Sequence, residues 1–276
     1  VVDVQAEPKV QAVMAPSVTC LYGPQGSLKS SIAATWPGPI RFYDLELGSN
    51  RIWKVEELVE SKHLEIVEVI LPQKSITTRH IQLDGFLAAW INLASLLSAD
   101  FENPNIPTVV IDTGTMKWKL IQDGYLEEKQ QAQLRAKMLP TDPRFRKNLI
   151  QIEFGEPNSR ARAIMQGAKA TKTNLILIDH ETDEYAPLTM GGAPMLDPDG
   201  NPRSAITGRK LPDGFRATRD GCDWVIHTRV ERTAEGIVPH AVIDKSAYGI
   251  GLVDMDFQWF NYQTLAKIVS VNRGQG

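Results

Sequence analysis

The stretch Gly23-Pro-Gln-Gly-Ser-Leu-Lys-Ser30 constrains this chain more than any other. It lies between a short β-prone run, residues 17–22, and residues 29–36, which read as a helix stopping at Pro37-Gly38-Pro39. In a strand, glycine loop, helix sequence, successive backbone N–H groups turn inward to cradle an anion. The positive end of the helix dipole stands behind them. In such a loop Lys29 is placed to reach β- and γ-phosphates, and the Ser30 hydroxyl to ligate Mg²⁺. The expected nucleotide-binding set is Gly23, Pro24, Gln25, Gly26, Ser27, Leu28, Lys29, Ser30 and Ser31. Leu28 departs from the pattern G-x-x-x-x-G-K-[ST], in which its position is the last glycine. Glycine there lets the backbone approach phosphate without a Cβ. Helical dihedrals at Leu28 would let its side chain point away.

The rest of the chain alternates strands and helices. Residues 40–43 and 65–71 read as strands and 51–61 as a helix. Residues 84–99 read as an amphipathic helix carrying Phe86, Leu87, Trp90, Ile91, Leu93, Leu96 and Leu97. Thr108-Val-Val-Ile-Asp112 and Asn174-Leu-Ile-Leu-Ile-Asp179 are continuous apolar runs ending in polar groups. Residues 114–168 read as mostly helical and charged, 181–214 as a long loop, 223–232 and 237–246 as antiparallel strands, and 261–270 as a last helix. Fully apolar strands between helices predict an α/β fold, with a mostly parallel sheet covered on both faces and an antiparallel extension near the C-terminus. The expected division is an arm over 1–16, a domain over 17–255, and a helix and tail over 256–276.

Three further side chains belong with the glycine loop if the strands lie parallel, because their carboxyl ends then open onto one crevice. Asp112 ends its apolar strand and is the second expected Mg²⁺ ligand, facing Ser30. Glu46, in Asp44-Leu-Glu46, is placed to orient a water for attack on the γ-phosphate. His180, with Asp179 as the competing residue, ends a strand where it could sense the γ-phosphate and relay nucleotide state into the next loop.

Composition narrows the classes. Thirty Lys and Arg against 33 Asp and Glu give a net charge of −3, which excludes a binder that coats DNA by bulk charge but permits a local basic groove. Cys20 and Cys222 are too few for a disulfide framework, and no Cys/His spacing suggests zinc. A reducing, cytoplasmic compartment is expected. The longest apolar stretch, residues 86–97, is too short to span a membrane, and the first residues lack the basic-then-apolar pattern of a secretory signal.

These pieces in this order resemble the RecA-like ATPases: phosphate loop, Asp-x-Glu segment, strand-ending Asp112, then a strand ending in a polar sensor. The Trp36-Pro-Gly-Pro39 break before Phe42-Tyr-Asp-Leu-Glu46, the Val109-Val-Ile-Asp-Thr113 run and the late Asp244-Lys-Ser246 run are similar to phage RecA-related ATPases that work with single-strand annealing proteins. The resemblance covers residues 17–255. It implies a RecA-like core and ATP hydrolysis with Mg²⁺, coupled to filament or ring formation on single-stranded DNA. A single-strand annealing or single-strand-binding protein is the implied partner, and a phage-encoded chain would work in the host cytoplasm. It also implies Glu46, Lys29, His180 and Lys245 as catalytic residues. Lys245 would be a cation acting across a subunit interface, although Ala247 stands where relatives carry a second cation. The DNA-facing loops map to 114–160 and 181–214, the second rich in glycine and proline and including Gly191, Gly192, Pro198 and Gly200. Their basic residues include Arg144, Arg146, Lys147, Arg203, Arg209 and Lys210, and Phe145 and Phe215 are candidates for base stacking.

Two other classes remain open at this level. Leu28 and Ala247 favour a nucleotide-gated DNA clamp or assembly factor with little hydrolysis. The modest net charge is compatible with a packaging role in which nucleotide serves assembly alone.

Overall fold

A computed structural model describes residues 14–73, 82–190, 193–197, 202–234 and 236–273. Most of the arm over 1–16, and Gly191, Gly192, Pro198 and Gly200, lie outside the described residues.

The chain runs β1 (Val18–Tyr22), α1 (Lys29–Ala33), β2 (Ile40–Asp44), α2 (Val55–Glu60), β3 (Leu64–Glu68), α3 (Phe86–Glu102), β4 (Thr108–Asp112), α4 (Gly114–Arg135), α5 (Gly155–Thr171) and β5 (Asn174–Asp179). It continues through β6 (Glu181–Pro187), β7 (Thr189–Met190), β8 (Ala193–Pro194), β9 (Ser204–Pro212), α6 (Thr218–Gly221), β10 (Trp224–Thr233), β11 (Gly236–Ser246), β12 (Asp256–Gln258) and α7 (Tyr262–Arg273). Eight strands form one sheet in the order β12-β11-β10-β1-β5-β4-β2-β3. The six from β10 to β3 are parallel. β11 and β12 add antiparallel at one edge. The fold is α/β with a mostly parallel sheet and an antiparallel extension, as the alternation of apolar runs and helices predicts.

Side-chain alternation explains why the central strands are apolar throughout. Val109, Ile111, Leu175 and Leu177 face a core with Trp90, Leu93, Leu97 and Leu120 of α3 and α4. Val110, Ile176 and Ile178 face the opposite core with Ile32 and Ala33 of α1 and Leu265, Ala266 and Val269 of α7. Each fully buried Val, Leu or Ile among them contributes about 1.5–3 kcal/mol. Among the described residues no helix is long and apolar enough to cross a membrane.

Three expectations change. The long loop over 181–214 contains an antiparallel arm, β6 on β9, with Glu181 opposite Pro212, Asp183 opposite Lys210 and Tyr185 opposite Ile206. Both arm strands are mostly exposed, so neither shows the one-sided periodicity that marks a strand in sequence. Phe145 and Phe215 are buried and unavailable for base stacking. Phe215 instead packs on Trp118 of α4, ring centroids 5.2 Å apart. Residues 256–273 pack onto the rest of the fold, since β12 pairs with β11 and α7 buries Tyr262, Leu265 and Val269.

Candidate nucleotide-binding site

The parallel register brings the carboxyl ends of four strands together. Asp44 lies beside Asp112 between β2 and β4, and Tyr22 beside Asp179 between β1 and β5. The loops leaving these ends line one cleft that includes Lys29, Ser30, Glu46, Asp112 and His180. Five residues separated by up to 151 positions in sequence thus share one site.

The glycine loop is braced by its neighbours. Ser27 Oγ lies 2.7 Å from Thr228 Oγ1 of β10 and donates to the Pro24 carbonyl at 2.8 Å. Gly23, at φ 151°, has no room for a side chain, because a Cβ would collide with the Thr228 carbonyl. The Lys29 ammonium is buried and donates to Gly23 O at 2.9 Å, Pro24 O at 2.8 Å and Ser27 Oγ at 3.3 Å. All three ammonium hydrogens are therefore held by the loop, and an entering phosphate must take them over. Burial lowers the Lys29 pKa, opposed by the carboxylates of Asp112, Glu181, Glu46 and Asp179.

Leu28 is not helical. It sits at φ 65° and ψ 19°, the left-handed conformation, immediately before α1. The loop keeps the backbone geometry that glycine adopts freely, and a leucine bears the strain of about 1–2 kcal/mol. Its side chain is 39% exposed at the cleft mouth.

Ser30 Oγ donates to Asp112 Oδ2 at 2.6 Å. A hydroxyl and a carboxylate oxygen in contact are a hard-oxygen pair of the kind that holds Mg²⁺ beside substrate phosphates, so the residues present fit that ion. Burial raises the Asp112 pKa to about 6, the Ser30 hydrogen bond and Lys29 working against it and Asp44 and Glu46 with it.

Asp44 is a structural residue of the site. It accepts from the backbone N–H groups of Glu46 and Gly48, both at 3.1 Å, and of Ser49 at 2.7 Å, fixing the loop that carries Glu46. Glu46 Oε1 accepts from His180 Nε2 at 2.8 Å and from Thr113 Oγ1 at 3.2 Å. Thr113 also caps α4 by accepting from Met116 N at 3.2 Å. Thr113 is a site residue that the sequence motifs do not mark. A threonine following a strand-ending aspartate and preceding a helix is the available signal.

Asp179 does not face the cleft. It is 2% exposed, against Cys20 Sγ at 3.5 Å and beside Gly114, where a Cβ would collide with its carboxylate. Burial raises its pKa to about 6, with Lys117 opposing the shift. Lys245 is also remote from the cleft lining. Its ammonium donates to the carbonyls of Arg219 at 2.7 Å, Asp220 at 3.0 Å and Cys222 at 2.8 Å, around the end of α6. All three of its ammonium hydrogens have acceptors within the chain.

The basic residues expected on DNA divide. Arg144 pairs with Asp142 at 2.9 Å, Arg146 with Glu153 at 3.3 Å and Lys210 with Asp183 at 2.7 Å. Lys147, Arg203 and Arg209 are exposed, the last two at and beside β9 on the arm.

No family model matches the chain, and no curated protein does. Its solved structural neighbours include two proteins. One is the RadB recombinase, at 12% identity and a TM-score of 0.46, covering 88% of this chain and 87% of that one. The other is a KaiC-like protein from the hyperthermophilic archaeon Pyrococcus horikoshii, at 12% identity and 0.43, covering 88% and 85%. Likeness at this level decides nothing about chemistry, which rests on the residues of the cleft.

Proposed function

We propose that this chain is a RecA-like ATPase that binds ATP with Mg²⁺ and hydrolyses it in work on single-stranded DNA. The observation that carries this reading is the convergence of Lys29, the Ser30–Asp112 pair and Glu46 on one cleft. Lys29 and the loop amides hold the phosphates, and Ser30 and Asp112 hold the metal. A bound Mg²⁺ supplies positive charge to the phosphate oxygens. Glu46 orients the attacking water and takes its proton, while His180 and Thr113 fix the carboxylate through Oε1. Lys245 would have to leave its three carbonyl acceptors to act across a subunit interface.

The arm of β6 and β9 is the proposed DNA element. It leaves the site through His180 and carries Arg203, Arg209 and the exposed Tyr185 and Ile206. Assembly into filaments or rings on DNA, alongside a single-strand annealing or single-strand-binding protein in a phage setting, completes the reading from the sequence resemblance.

Phosphate release with and without single-stranded DNA tests it. The wild type should turn over ATP only with Mg²⁺, Lys29→Ala should lose nucleotide uptake, and Glu46→Gln should bind ATP while losing at least about 100-fold in rate. Unchanged turnover in Glu46→Gln would remove Glu46 from the chemistry.

The clamp reading keeps one specific support. Leu28 stands where the loop pattern has its last glycine and lines the nucleotide cleft. Nucleotide-dependent DNA binding without phosphate release would favour it.

A further inference from the structure

The cleft has a second wall, made by the residues after β2. This wall is anchored at both ends. At its start the Asp44 carboxylate accepts three backbone N–H groups, those of Glu46, Gly48 and Ser49. At its end Trp53 N donates to Ser31 Oγ at 3.0 Å, joining the wall to the first turn of α1. Between these anchors a single 3-10 turn, Ser49–Arg51, presents Arg51 to the cleft.

Arg51 differs from the other cations of the site. Lys29 is buried and its ammonium fully engaged by loop acceptors. The Arg51 guanidinium has no hydrogen-bond or ion-pair partner among the described residues, although it lines the same cleft as Asp44, Glu46 and Asp112. The Asp44 carboxylate is saturated by amides, Asp112 takes the Ser30 hydroxyl, and Glu46 takes His180 and Thr113. None of these carboxylates pairs with Arg51, and the five donors of the guanidinium remain unspent.

An unpaired arginine on a fixed wall of the cleft that also holds the anion cradle is arranged to receive an anion from outside the chain. The geometry points to Arg51 as a second phosphate-binding cation of the nucleotide site, contributed by the same chain and gripping the phosphate chain from the second wall. This inference rests on the cleft being a nucleotide site. It goes beyond that reading by assigning specificity: the guanidinium fork matches paired phosphate oxygens in a way a lysine does not, so Arg51 favours di- and triphosphates over monophosphates and nucleosides.

The test is calorimetry of ATP, ADP, AMP and inorganic pyrophosphate binding to the full chain in wild-type, Arg51→Ala, Arg51→Lys and Lys29→Ala forms, at two salt concentrations. Arg51 is exposed, so its removal leaves the core intact. Arg51→Ala should weaken ATP, ADP and pyrophosphate about tenfold or more at low salt and leave AMP nearly unchanged. Arg51→Lys should recover only part of the loss. Equal loss for AMP and ATP would place Arg51 on the α-phosphate, sugar or base rather than on the β- and γ-phosphates and overturn the assignment, as would wild-type ATP affinity in Arg51→Ala. A changed sedimentation profile with unchanged affinity would make Arg51 an interface residue and overturn it also. Failure of the nucleotide reading looks different: wild type and Lys29→Ala would then be alike in taking up no ATP.

Discussion

His180 Nε2 donates to Glu46 Oε1 across 2.8 Å, joining the end of β5 to the loop after β2. The same oxygen accepts Thr113 Oγ1, so both donors orient the carboxylate without occupying its second oxygen. His180→Ala should lower turnover by about 10–100-fold with little change in ATP affinity, since the imidazole aims Glu46 rather than gripping phosphate. His180→Gln, which keeps an N–H donor, should recover part of the rate. A matched rise in KM with unchanged kcat would show that His180 holds substrate instead.

Leu28 bears a local cost for a conformation the loop needs. At φ 65° it carries strain that glycine would not, and its exposed side chain gains little packing in return. Leu28→Gly should raise unfolding stability by about 1 kcal/mol, read from urea melts. Nucleotide affinity should hold or improve, because the backbone amides keep their places. A destabilised variant would show that the leucine packs against something worth more than its backbone strain.

The site is legible in the sequence where chemistry demands particular residue types at fixed places. Lys29, Ser30, Asp112, Glu46 and His180 all line the cleft, because parallel strands put the loop motif and the strand-ending polar residues on one edge and β1, β5, β4 and β2 are adjacent there. The sheet itself is legible because β4 and β5 are buried on both faces and so carry few polar positions. The arm is not, since exposed two-sided strands impose no period on sequence. Phe145 and Phe215 mislead because an aromatic among arginines reads alike whether its ring faces solvent or packs inward. Arg51 leaves no sequence trace; its meaning comes from the Asp44 and Ser31 anchors around it.

The arm makes a salt-dependent prediction. Arg203 and Arg209 are exposed and lack ion-pair partners among the described residues, unlike Lys210, which Asp183 holds. Removing both arginines should weaken single-stranded DNA binding about tenfold or more at low salt. The slope of log affinity against log salt should become shallower by roughly 0.7 for each phosphate that is no longer neutralised. ATP affinity should stay unchanged. Lys210→Ala should have the smaller effect on DNA. Identical slopes in wild type and the double variant would remove the arm from the DNA interface.

Two buried carboxyls give the unliganded protein a defined pH dependence. Burial raises Asp112 and Asp179 from 3.8 to about 6. Between these values the folded state holds protons that the unfolded state has released. Stability therefore falls as pH rises from about 4 to about 6, and the full penalty stands above that window. A rise of this size corresponds to at most about 3 kcal/mol for each group. Asp112→Asn should flatten its share of the slope and leave that of Asp179. Adding ATP with Mg²⁺ should stabilise the wild type increasingly across the same window, because the ionised Asp112 that costs stability alone is the form that binds metal. Thermal melts at about pH 4.5, 6 and 7.5, with and without ligand, decide it. A ligand-induced shift independent of pH would show that Asp112 is not a ligand.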